Sequence, residues 1–194
     1  MNESDHITQD KTTAPLFLLQ ALGLLLEAAQ ADPGTTEVTM QPLSGREQFD
    51  FRQENPSGVN AVRIRSTKSM LLYSLVQTLA GELDSDPSLA EGRLVLIGMI
   101  HPRLEKINQL GKVVLTKRIY DPEMLLHEAA TAVGTFRAAA GLPPQSAAVD
   151  QAVAACLAMQ LGEYCAEPRR LDRAALVALF REAILVATSK IGPV

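Results

Sequence analysis

The stretch QFDFRQENPSGVNAVRIR, residues 48–65, decides the fold. Phe49 and Phe51 alternate with Gln48, Asp50 and Arg52; further on, Val62 and Ile64 alternate with Arg63 and Arg65. A period of two puts one set of side chains on each face of a strand. Two such runs joined through Asn55-Pro56-Ser57-Gly58 predict a β-hairpin, with the apolar set inward and Arg63 and Arg65 outward.

Toward the N-terminus, Glu37–Leu43 reads as a further strand. Before it, Pro15 opens a helix that runs to about Ala31, where Asp32-Pro33-Gly34 supplies turn chemistry. Leu16–Leu26 is strongly apolar, but Glu3, Asp5 and Asp10 precede it and Glu27 interrupts it. It therefore reads as a buried helix rather than a secretory leader, and it is too short to span a bilayer. Residues 1–13 are polar and aperiodic, which predicts a disordered tail.

Toward the C-terminus, Ser66 and Thr67 can cap a helix whose apolar face holds Leu71, Leu72, Leu75, Val76, Leu79 and Leu83. Leu94-Val95-Leu96-Ile97 is an unbroken apolar run, suited to a central strand buried on both faces. A short helix follows His101-Pro102. Lys112–Tyr120 then reads as a strand whose Lys117 and Arg118 suit a sheet edge. From Asp121 onward the period changes, and three Ala- and Leu-rich helices are predicted over 121–140, 146–165 and 171–190.

These elements predict an α+β protein: a mixed sheet of about five strands with flanking helices and an all-helical C-terminal extension. The organisation expected is a disordered tail (1–13), an α/β body (14–141) and a helical extension (142–194) packed on the body or on a partner.

Composition narrows the function. The 194 residues are 47% hydrophobic and 21% charged, so a real core is within reach. A net charge of −4 lacks the basic footprint of a nucleic-acid binder, and with no Trp an aromatic stacking platform is not expected. Cys156 and Cys165 lie nine residues apart on one predicted helix and point to opposite sides. That suits reduced thiols and a cytoplasmic protein.

Catalytic and metal signatures are absent from the pattern. His127-Glu128 lies on a helix, but a zinc helix needs a second His where Thr131 stands. His101 ends a strand without a recognisable nucleophile or carboxylate beside it. Asp84, Asp86 and Glu91 lack the spacing of a calcium loop. No catalytic residue, metal or cofactor is therefore expected. The anion or phosphorylation candidates are Ser66, Thr67, Lys68 and Ser69, where hydroxyls and one ammonium sit at a predicted helix start. The partner-binding candidates are Leu176, Leu179, Phe180 and Ile184, the apolar stripe of the last helix.

Glu91-Gly92-Arg93-Leu94-Val95-Leu96-Ile97-Gly98, then Pro102-Arg103, Gly111 and Ile119-Tyr120-Asp121, resembles the second half of a STAS domain. The resemblance implies a phosphorylatable hydroxyl at Ser66, Thr67 or Ser69. The element order, with Gly111-Lys112-Val113-Val114-Leu115 leading into the 121–140 helix, is similar to type III secretion chaperones. Both resemblances imply a protein-binding role. The expectation is thus a non-enzymatic adaptor, chaperone or regulator that binds another protein or itself. It has no membrane span, and nucleic acid is unlikely as its partner. The alternatives are a small-molecule or phosphate-handling enzyme with a site near Ser66, Lys68 and His101, and a nucleic-acid accessory factor.

Overall fold

A computed structural model describes residues 7–30, 35–42, 48–139, 141–164 and 169–191. Its elements in chain order are α1 (Ile7–Ala29), β1 (Glu37–Pro42), β2 (Gln48–Asn55), β3 (Gly58–Leu71), α2 (Tyr73–Asp84), β4 (Leu89–Ile100), α3 (Pro102–Glu105), β5 (Gln109–Leu110), β6 (Val113–Arg118), α4 (Pro122–Ala139), α5 (Ala147–Tyr164), β7 (Arg169–Asp172) and α6 (Arg173–Ile191). The chain is α+β, with a mixed sheet flanked by helices. No helix among the described residues is long and apolar enough to cross a membrane.

The sheet order is β5-β6-β4-β3-β2-β1-β7. The predicted hairpin forms its centre: β2 and β3 pair antiparallel, with Phe51 opposite Val62 and Asp50 opposite Arg63. β3, β4 and β6 are parallel neighbours, so each needs a crossover connection. Two short strands lie beyond the expected set. β5 pairs only with the start of β6, and β7 interrupts the helical extension to pair antiparallel with β1.

Both faces of the sheet are covered, which is why β4 reads as a continuous apolar run. Val95 and Ile97 face a core shared with α1, α4, α5 and α6, while Leu94 and Leu96 face α2 and α3. This corrects one expectation. Arg63 does not point to solvent; it is buried, donates from Nε to Asp50 Oδ1 at 3.0 Å and also pairs with Glu82 on α2. Burial works against the guanidinium charge, but hydrogen bonds and charge from Asp50 and Glu82 outweigh it and hold the proton more firmly than usual.

α1 lies on the sheet through Gly23. A Cβ there would come within 3.2 Å of Ile64 Cγ2 and Ile97 Cδ1, so a larger residue would lift the helix. α1 begins at Ile7, inside the span expected to be tail; residues 1–6 and the turn at 31–34 lie outside the described residues, as does Cys165. On the far side of α1, Gly162 of α5 sits where a Cβ would meet Phe17 Cζ at 2.6 Å. Leu176, Phe180 and Ile184 of α6 are buried in this same core, Leu179 packs against it, and the Phe180 ring lies 4.7 Å from that of Phe136 on α4.

Candidate functional site at the carboxyl edge of the parallel strands

Backbone register sets up the site. Ser66 of β3 pairs with Ile97 of β4, and Ile97 pairs with Arg118 of β6. The three residues form a row across the carboxyl ends of the parallel strands. Ile97 belongs to the α1 core, so by strand alternation the row faces α1 and α4.

The connections diverge just past this row. After β4 the chain turns to the α2 face, where Leu104 of α3 is buried; after β6 it turns to the opposite face, where Leu125 of α4 is buried. Such divergence opens a crevice outside the carboxyl ends of strands, a common place for ligands in open α/β sheets.

Ser66, Thr67, Lys68 and Ser69 all reach this edge, but not as a helix start. They lie within β3, where pairing with β4 is interrupted between Ser66 and Met70, and α2 begins only at Tyr73 behind Leu72, which makes no side-chain cap. The expectation that Ser66 and Thr67 cap a helix is corrected here: a bulge absorbs these residues into the strand. Ser66 is fully buried, Thr67 Oγ1 accepts from Ser69 N at 3.1 Å, and Lys68 and Ser69 are exposed.

His101 closes the end of β4. Its Nδ1 accepts from Arg103 N at 3.2 Å and caps α3, which gives it a structural task. Lys117 is also occupied: its Nζ donates to the carbonyls of Leu104, Glu105 and Ile107 and to Asn108 Oδ1, all within 3.0 Å. Large apolar side chains stand exposed at the strand ends or just beyond them, namely Met70, Met99, Ile119 and Met124, with Met70 and Met99 in register.

Two cavities meet at Arg118. One, about 210 Å³, lies over the end of β6 against Ile119, Met124 and Leu125. The other, about 330 Å³, runs between α1 and α4 along Leu26, Gln30, His127, Thr131 and Thr135. The ion pair between Arg118 Nη1 and Glu128 Oε2 borders both. His127-Glu128, which reads as a failed zinc motif in the sequence, thus lines a cavity. Among the described residues no cluster of three His, Cys, Asp or Glu could hold a metal ion. The sequence marked Arg118 only as an edge cation. Its position at a strand end, ten residues before Glu128 on the following helix, is the signal that could have singled it out.

A third cavity, about 410 Å³ and polar, lies at the opposite end of the sheet, between the end of α1 and Gln53, Asn60 and Arg93. There Glu27 is buried and accepts from Arg93 Nη1 at 3.0 Å. Burial pushes its carboxyl above the usual range, against the pull of Arg93 and Arg118.

No family model matches the chain, and no curated protein matches it. Solved structures do. A Moraxella osloensis Cap4 SAVED/CARF-domain containing receptor aligns over 88% of this chain and 46% of its own, at 10% identity and a TM-score of 0.55. The Acinetobacter baumannii Cap4 SAVED/CARF-domain containing receptor with the cyclic trinucleotide 3'3'3'-cAAA aligns over 91% of this chain and 48% of its own, at 9% identity and a TM-score of 0.55. The same receptor with 2'3'3'-cAAA gives 91%, 45%, 9% and 0.53. The chain therefore spans less than half the length of these receptors, and at such identity the likeness is one of fold.

That likeness overturns the functional expectation. The fold is shared with a receptor solved with cyclic trinucleotides, which contradicts the expected protein adaptor, chaperone or regulator. The expected partner, another protein with nucleic acid unlikely, is corrected with it. The STAS and secretion-chaperone resemblances rested on element order and short strand motifs, which many α+β folds share.

Proposed function

We propose that this chain is the ligand-binding module of a signalling receptor and takes a cyclic oligonucleotide at the carboxyl edge of β3, β4 and β6. The observation that carries the reading is the fold likeness over about nine-tenths of the chain to receptors solved with cyclic trinucleotides. The edge has matching chemistry. Lys68 and Ser69 are exposed on the bulge for phosphate oxygens, and Arg118 borders the crevice. Met70, Met99, Ile119 and Met124 offer soft apolar surface for base faces. A cyclic trinucleotide is small, so local cations matter more than the net charge of −4. The exposed free thiol of Cys156 supports a reducing, cytoplasmic setting.

Isothermal titration calorimetry with 3'3'3'-cAAA, 2'3'3'-cAAA and the linear trinucleotide tests the proposal. Saturable binding of a cyclic form is expected. Lys68→Ala should weaken it about 3- to 10-fold, the effect of losing one charge-assisted contact of about 1 kcal/mol. Absence of binding across cyclic di-, tri- and tetranucleotides overturns it.

A further inference from the structure

The geometry points to Arg118 as the phosphate-binding residue of this edge, and to Glu128 as a resident counter-ion that the ligand displaces. The inference rests on the reading that the edge takes a phosphate-bearing ligand.

Four observations support it. Arg118 is the cation that borders both the cavity between α1 and α4 and the one over the end of β6, so a guanidinium leaving Glu128 has open space on either side. Its side chain is mostly enclosed, yet Nε is buried and makes no hydrogen bond. A guanidinium turned toward a phosphate would give that donor an acceptor in a forked, bidentate contact. Glu128 is 42% exposed, so its pairing with Arg118 is screened and easily exchanged. Lys117, the neighbouring cation, cannot substitute, because its ammonium is committed to four oxygens.

In the free chain Glu128 thus occupies the place of the ligand's phosphate. Removing the carboxylate should then improve binding, an effect that misfolding cannot imitate.

Inorganic tripolyphosphate and 3'3'3'-cAAA are titrated calorimetrically against the full chain and its Glu128→Gln, Arg118→Gln and Arg118→Lys variants, with circular dichroism melts in parallel. Glu128→Gln should bind tripolyphosphate about 3- to 10-fold tighter, and Arg118→Gln at least about 10-fold weaker, with Arg118→Lys between. Unchanged or weaker binding in Glu128→Gln overturns the inference, as does full binding in Arg118→Gln or failure of the unaltered chain to bind tripolyphosphate. If the tripolyphosphate pattern holds and no cyclic di-, tri- or tetranucleotide binds, the inference stands and the cyclic-oligonucleotide reading falls.

Discussion

Arg137 and Asp150 clasp α4 to α5 through two parallel hydrogen bonds, Nε to Oδ1 at 3.2 Å and Nη2 to Oδ2 at 2.9 Å. Both residues are buried, and Arg137 Nη1 also donates to the Pro143 carbonyl in the connection between the helices. The start of the C-terminal extension is thereby tied to the body. Removing one partner strands the other charge, so Asp150→Ala should cost about 3–5 kcal/mol. Urea denaturation should show a single transition at lower midpoint, since α5 and α6 share one core with α1 and α4. A first transition that releases α5 and α6 alone would show that the extension folds apart from the body.

Lys117 does a comparable task for the loop after β4. An ammonium has three protons, and four oxygens crowd it, so it holds α3 and the chain to Asn108 in place. Lys117→Met keeps the aliphatic stem and deletes the donors. It should cost about 1–3 kcal/mol and raise amide exchange across residues 104–110. Exchange rates there matching the unaltered chain would remove this role.

How legible these features were in the sequence depends on their range. Local periodicity carried the hairpin, because Phe51 alternates with Asp50 and Arg52, and Val62 and Ile64 with Arg63 and Arg65. Asp121 and Ser146 could be read as helix starts for the same reason, and both side chains do cap: Asp121 Oδ1 accepts from Glu123 N and Met124 N, and Ser146 Oγ from Val149 N. Arg63 misled because alternation assigns a face but does not say that the second face is also covered. Its partners, Asp50 and Glu82, come from different elements.

The edge of the site was half visible. Hydroxyls and Lys68 after an alternating run marked the carboxyl end of β3, but Ser66-Thr67-Lys68-Ser69 has the composition of a helix cap as much as that of a bulge. Pairing with β4, some thirty residues on, decided for the bulge. β7 has only four residues, and nothing local distinguishes it from a helix start; its pairing to β1 spans more than a hundred residues. Arg118 escaped because the two cavities it borders are built with residues of α4 and, for one of them, α1, which lie far from it in the sequence or on the following helix.

Two glycines with left-handed backbone separate conformational strain from collision. Gly111, between β5 and β6, has φ +57°, and a Cβ there would lie 2.6 Å from Asp84 Oδ2, whose carboxylate accepts from Lys112 N at 2.8 Å. Gly141, after α4, has φ +69° and open space where a Cβ would stand. Gly141→Ala should therefore cost only the backbone term, about 1–2 kcal/mol. Gly111→Ala should cost about 1–3 kcal/mol more, because it also displaces the Asp84 carboxylate. Equal losses in thermal melts of the two variants would show that Asp84 moves aside freely.

Glu27 gives the stability of the fold a pH dependence of unusual sign. Most carboxylates that find a cation in the folded state are held below their ordinary pKa. Glu27 goes the other way, because its burial outweighs the charges of Arg93 and Arg118 and the hydrogen bond from Arg93. Its folded-state pKa lies above the usual 4.5, so between the two values the folded chain binds more protons than the unfolded one. Its contribution to stability is then full below the unfolded value and is lost as pH rises through the folded value. Glu27→Gln removes the titration and leaves a neutral hydrogen-bonding group beside Arg93. Any difference between the amide and the protonated carboxyl in their contacts adds an offset that does not vary with pH. Urea denaturation of both proteins from about pH 4 to about pH 8 should show the difference shifting in favour of Glu27→Gln as pH rises, then levelling once Glu27 is ionised in both states. A difference that stays constant, or that shifts toward the unaltered chain, would mean that Arg93 and Arg118 compensate the buried charge in full.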